Sequence, residues 1–267
     1  SAGAKHTCAL DRGGYAWCWG WDQSGAIGDG YEGQNDGNCI TEFSNDHCAL
    51  TPTRVAGERR FTTIDAGAWG TCALDAAGTA WCWGNTPATT LAFVPTAVHA
   101  DQAFASISTD YVHACAIDTV GQAWCWGQNS EGQLGTGDTG PAWLSTRVTG
   151  EHRFLSIAAS GVTTCAIDTD KRVWCWGGNA FGELGIGQKT DRVLTPTRAA
   201  TDRTFVSISG GGDGFCALTQ EGDSWCWGTH GYFEPTLTSL PKLGHVAPLG
   251  FAFSDYCGVA IDGSTWC

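Results

Sequence analysis

Fourteen cysteines in a chain of 267 residues are the first side chains that could do chemistry. Cysteine thiolates can hold a metal, run thiol–disulfide exchange, or staple a fold. Twelve of them form six couples of one spacing, the second member always ten residues after the first: Cys8 and Cys18, Cys72 and Cys82, Cys115 and Cys125, Cys165 and Cys175, Cys216 and Cys226, Cys257 and Cys267. Zinc sites favour closer couples of the C-x2-C to C-x4-C kind, and redox centres use C-x-x-C. Neither occurs, nor does a C-x-x-C-H haem signature, so stapling is the expected use and no metal or other cofactor is implied.

Other reactive groups do not assemble. The seven histidines are scattered, and no Ser-His-Asp set or carboxylate pair can be built from the sequence. No catalytic residue is assigned, and a non-enzyme is expected. The glycine-rich stretches "GTGDTG" and "GGGDGF" sit in no strand–loop–helix unit, so they are read as turns and not phosphate cradles. Asp11, Asp75, Asp118 and Asp168 recur three residues after a first cysteine, where an aspartate bonds the amides of a turn.

These residues are positioned by a repeat. The string "CALDAAGTAWCWG" at 72–84 has close copies on every couple, at intervals of 41 to 64 residues. Units are read near 1–50, 51–92, 93–143, 144–193, 194–233 and 234–267, within a single domain over 1–267. That period suits propeller blades, each unable to bury its faces alone. The fuller unit holds four short strands in period two, such as "RFTTI", "TCALD", "TAWCWG" and "TPTRV". The proline of the last fits an edge strand, with no ladder donor to lose. No stretch carries a sustained helical period, so the chain reads as all-β.

The turn accounts for the cysteine spacing. Pairing Cys72 with Cys82 leaves the three-residue loop Ala76-Ala77-Gly78, whose last residue is left-handed and so usually glycine. Gly14, Gly121, Gly222 and Gly263 hold the same place, and Lys171 is the one departure. Directly opposite residues of antiparallel strands lie within disulfide range. Alternation puts Cys72, Leu74 and Cys82 on one face and Ala73, Trp81 and Trp83 on the other. Stacked sheets would then lay the tryptophans of one unit on the disulfide of its neighbour, as core.

Charge narrows the partners. The balance is 27 Asp+Glu against 14 Lys+Arg, a net −13, with no basic run longer than Arg59-Arg60. Nucleic acid and anionic membrane surfaces are unsuited to such a chain, and no apolar run is long enough to insert in a bilayer. The absence of methionine implies removal of upstream residues, such as a signal peptide. The segment 22–49 is acidic, without an EF-hand pattern, and is expected to be a loop insertion pinned by Cys39–Cys48.

The stretch "STRV…SIAASGVTTCAIDTDKRVWCWGGNAFGELGIG" resembles the signature of the regulator of chromosome condensation repeat family, roughly "P..V…I..G..H…L…G.VY.WG.N..GQLG.G". The resemblance implies a β-propeller of four-stranded antiparallel blades, here with one intrablade disulfide per unit. Six units are visible, which means six blades or an incomplete seven-bladed ring. "SAG" at the start is similar to the end of a first strand. His6 and His113 fall on a consensus position and are expected to be structural. Nucleotide exchange on a nuclear GTPase, the namesake's activity, fits poorly with an acidic, cysteine-rich chain. Cysteines on both hairpin strands resemble secreted bacterial members, which implies a secreted, extracellular or cell-surface protein.

Where the units disagree is more informative for function. Just before each second strand lie Lys5, Trp69, Tyr111, Val162, Asp213, Phe215, Asp255 and Tyr256. In a propeller these would ring one face, and "AGAWGTCAL" resembles loops of a secreted enzyme-inhibitory member. The expected function is a non-catalytic binding or scaffold propeller gripping a protein partner, in adhesion, in a surface assembly or as an enzyme inhibitor. A lectin-like, glycan-binding propeller is the alternative.

Overall fold

The computed structural model describes residues 1–22, 24–31, 37–41, 44–98, 101–212, 214–228, 238–239, 246–251, 256–260 and 265–266. Of 37–41, 44–47, 90 and all positions from 238 onward it describes the backbone alone. The chain divides into two compact units, Ser1–Tyr111 and Val112–Cys267. Every described element is a strand.

The first unit holds β1 (His6–Leu10), β2 (Ala16–Trp21), β3 (Gly37–Thr41), β4 (Ser44–Arg54), β5 (Phe61–Ala66), β6 (Gly70–Asp75), β7 (Ala80–Thr86), β8 (Thr89–Val98) and β9 (Phe104–Thr109). The second holds β10 (His113–Asp118), β11 (Ala123–Gly127), β12 (Ala142–Arg147), β13 (Phe154–Ser160), β14 (Thr163–Asp168), β15 (Val173–Gly178), β16 (Arg192–Arg198), β17 (Ser207–Gly211), β18 (Gly214–Leu218), β19 (Ser224–Gly228), β20 (Thr238–Ser239), β21 (Val246–Phe251), β22 (Tyr256–Ala260) and β23 (Thr265–Trp266).

The sheets are antiparallel meanders of blade type, ordered β5-β6-β7-β8, β13-β14-β15-β16 and β17-β18-β19-β20. The last repeat shows three strands, β21-β22-β23. The segment that would close a ring of six or seven blades lies outside the described residues. The first sheet differs from expectation, running β1-β2-β4-β3. Part of the acidic insertion is not loop but a β-hairpin, with Gly37 opposite Cys48 and Thr41 opposite Ser44. Its "NCIT" run supplies the β-branched residues that favour a strand. Ala2 bridges Thr7 and Cys8 N–H donates to Ser1 O, so "SAG" does pair as the end of a first strand.

Hairpin register is the one the ten-residue spacing requires. Cys8 faces Cys18, Cys72 faces Cys82, Cys115 faces Cys125, Cys165 faces Cys175 and Cys216 faces Cys226. All five pairs are disulfides across Cα separations of 4.1 Å, the close approach of a non-hydrogen-bonded pair. Cys48 is also disulfide-bonded, but the side chain of Cys39 and the couple Cys257–Cys267 lie outside the described residues. Gly78 N–H donates to Asp75 O with φ +79°, closing the three-residue loop. Lys171 takes the same left-handed conformation, φ +63°, without glycine's freedom.

The core follows from the alternation. In the first unit Trp83 is fully buried in one cluster with Cys8, Cys18, Ile27 and Phe61. In the second, Trp176 packs with Cys115 and Cys125, and Trp227 with Cys165 and Cys175. The indole of one sheet thus lies on the disulfide of the sheet before it. Each removes on the order of 200 Å² from water, a gross contribution of about 5 kcal/mol. The preceding tryptophan of each hairpin is not core as expected. Trp17, Trp81, Trp124, Trp174 and Trp225 are only half-buried, at the sheet end where a polar partner can reach the indole N–H.

Candidate functional site

The expected face consists of turns joining the first strand of a repeat to the second. Lys5, Trp69 and Val162 each lie three residues before a first cysteine, and their carbonyls extend the ladder to the third strand. Trp21 N–H donates to Lys5 O at 2.9 Å, Asn85 N–H to Trp69 O at 3.0 Å and Gly178 N–H to Val162 O at 3.0 Å. The backbone under these side chains is therefore fixed by the stapled hairpins.

Within the first unit the turns bring four side chains together. Trp21 and Trp69 meet edge to face, centroids 4.9 Å apart and planes at 67°. Tyr111 lies against Trp69 at 6.1 Å. Lys5 Nζ stands 5.1 Å from the Trp21 centroid and 4.9 Å from that of Trp69, within cation–π range of both. Tyr111 is 55% exposed, Lys5 is exposed, and the indoles are half-buried. The result is a rigid aromatic cluster, open to solvent, around one ammonium.

Trp21 escaped the sequence reading. It belongs to the hairpin's far strand and reaches the turn through its ladder position opposite Lys5. The signal was present as "CWGW", where the next four repeats continue "CWGN", "CWGQ", "CWGG" and "CWGT".

Phe215 does not belong to the face. It is 1% exposed, stacked on Trp227 with centroids 5.9 Å apart, inside the core of the second unit. The reason is ladder position: it lies inside β18 directly opposite Trp227, whereas Lys5, Trp69 and Val162 lie two residues earlier in their repeats, in the turn before the strand. Thr71 and Thr164 hold the same place. Val162 is half-buried at the equivalent turn of the second unit. Asp213, Asp255 and the side chain of Tyr256 lie outside the described residues.

The recurrent polar residues prove to be joints. His6 Nε2 lies 2.8 Å from Thr71 Oγ1, whose hydroxyl donates to Ala26 O at 3.2 Å. His113 Nε2 meets Thr164 Oγ1 at 2.8 Å, and that hydroxyl donates to Gln133 O at 2.8 Å. With its proton given to a carbonyl, each threonine accepts from a histidine Nε2–H. Burial pulls both imidazoles down to about 4, which keeps them neutral and structural. The aspartates bond their turns, as expected. Asn129 and Asn179 brace the glycine-rich loops, accepting Leu134 N–H at 2.9 Å and Leu184 N–H at 3.1 Å. Among the described residues no three His, Cys, Asp or Glu side chains converge to hold a metal ion, and no helix is long and apolar enough to cross a membrane.

The model of the Regulator of chromosome condensation (RCC1) repeat matches residues 120–167 and 170–218, and a second model of that repeat matches 1–26, 106–133 and 154–183. Together they cover just over half of the chain. The chain belongs to the RCC1 repeat family. Yeast RCC1 (Prp20), solved bound to Kap60, is similar to this RCC1-repeat chain at TM-score 0.80 and 19% identity, covering 99% of this chain and 68% of the yeast one. Human WBSCR16 gives TM-score 0.80 at 15% identity, over 99% and 74% of the two chains. The ectodomain of the Physcomitrella patens receptor kinase CR4 gives 0.63 at 21%, over 100% and 62%. Likeness at these identities shows the propeller fold alone. A search of the curated proteins returned no match.

Proposed function

We propose that this RCC1-repeat propeller is a secreted or cell-surface binding module, without catalysis of its own, that holds a protein partner through the Lys5–Trp21–Trp69–Tyr111 cluster. The observation that carries the reading is the cluster itself. Large aromatics on a pinned backbone, part-buried and part-open, lose little conformational freedom on binding and are typical binding hot spots. Disulfide stapling of five repeat hairpins supports an oxidising compartment. Yeast RCC1, similar in fold, was solved bound to a protein, Kap60, and the CR4 structure is the ectodomain of a receptor kinase.

Sugar binding is less favoured by the geometry, because stacking needs an open ring face and Lys5 stands over both indoles. Replacing Trp69 and Tyr111 with alanine should weaken capture of the natural partner at least about tenfold, with the melting temperature held. Unchanged capture would remove this face, and a positive glycan array lost in the same variants would favour the lectin reading.

A further inference from the structure

Lys5 has an unusual position on an acidic molecule. The chain carries 27 Asp and Glu against 14 Lys and Arg. Of the other cations of the first unit, Arg54 pairs with Glu58 at 2.9 Å and Arg59 lies 3.9 Å from Asp75, while Arg60 rests over the single ring of Tyr15. Lys5 forms no ion pair among the described residues; its contacts are the faces of Trp21 and Trp69. Indole faces stabilise a cation without neutralising it. The charge is thus held in place, still exposed, and still able to take an anion.

We infer that Lys5 is the anchor for a carboxylate of the partner, so that the recognised segment is an acidic residue, Asp or Glu, flanked by apolar side chains. The flanks would pack on Tyr111 and on the edges of Trp21 and Trp69. The net charge of −13 opposes an acid over much of the chain, so an ammonium held between two indoles adds selection by charge to the apolar contact. This inference rests on the reading of the cluster as the binding face.

The test uses the disulfide-intact chain and a phage-displayed library of random dodecapeptides. Selected peptides are expected to carry an Asp or Glu between apolar residues. For the best synthetic peptide, Lys5→Gln should lower affinity about tenfold and Lys5→Arg by no more than about threefold. Changing the peptide's acid to its amide should cost wild type the same tenfold and cost the Lys5→Gln variant nothing further. Lys5→Glu should select peptides carrying Lys or Arg instead. Thermal melts confirm that each variant folds. Selected peptides without an acidic residue, or losses from Lys5→Gln and from the amide that simply add, would overturn the anchor. If Trp69→Ala and Tyr111→Ala weaken binding while Lys5→Gln does not, the anchor fails and the binding face stands. If neither aromatic substitution affects peptide binding, the face itself is wrong.

Discussion

The indole N–H of Trp81 donates to Asp75 Oδ2 at 2.9 Å, and Oδ1 of the same carboxylate accepts Ala77 N–H and Thr79 N–H, each at 3.0 Å. One side chain therefore closes the hairpin loop and fixes the half-buried tryptophan. The arrangement repeats: Asp11 holds Trp17 at 3.1 Å, Asp118 holds Trp124 at 2.9 Å and Asp168 holds Trp174 at 2.7 Å. Arg59 covers the outer face of Trp81, 3.3 Å from its centroid.

Asp75→Ala should cost about 1–3 kcal/mol, since charge-assisted bonds are lost and an indole N–H and two turn amides are left without their acceptor. Burial pushes the Asp75 carboxyl up, but the Trp81 indole, the turn amides and the Arg59 guanidinium outweigh it and hold the group below its ordinary value. A depressed carboxylate contributes stability above the unfolded-state value, near ~3.9, and that stability is lost as pH falls through the folded-state value. Urea denaturation should show a lower midpoint for the variant at neutral pH and a smaller gap in strong acid.

The fifth repeat supplies the converse experiment. Thr219 stands where the first four repeats have aspartate; its hydroxyl accepts Asp223 N–H at 3.2 Å, and the buried Trp225 Nε1 has no partner. A threonine oxygen is too short to serve both. Thr219→Asp should raise stability by about 1 kcal/mol, read as an increased urea midpoint, because it completes the bond seen in four other hairpins.

Lys171 carries a left-handed backbone that glycine adopts at little cost. Lys171→Gly should stabilise the protein by roughly 1 kcal/mol in the same assay. The reciprocal change Gly121→Lys, at φ +87° and with no atom closer than 3.4 Å to the added Cβ, should destabilise by a similar amount.

The His6–Thr71 and His113–Thr164 joints make stability depend on mild acid. Both histidines have folded-state values near about 4, against about 6.5 unfolded. Between these limits the unfolded chain binds more protons, so stability rises with pH from about 4 to about 6.5 and levels off above. By about pH 5 each joint should have lost on the order of 2 kcal/mol relative to neutral pH. His113→Gln should flatten half of that slope in urea midpoints taken across the range.

Much of the fold was legible in the residues. Ten-residue cysteine spacing, a glycine six positions on, and period-two alternation are local facts, and they yield the hairpin, its staple and the buried indole of Trp83 directly. The Asp75–Trp81 bond was not legible, since it joins residues across a turn whose twist brings them together only once formed. Phe215 differs because it faces Trp227 across the ladder, a relation that its closeness to the turn hides. Trp21 was passed over because its neighbour Lys5 is close across a ladder and distant in sequence. The hairpin of the acidic insertion lies within a segment whose charge hides its short β-branched run.

The central claim, that the partner sits on the turns carrying Trp69 and Tyr111, is tested most directly by photocrosslinking. A benzoylphenylalanine placed at Tyr111 should trap the partner in its native extract. The same group at Ala77, exposed in the loop at the other end of the β6–β7 hairpin from the turn carrying Trp69, should not. Crosslinking from Ala77 and not from Tyr111 would contradict the account.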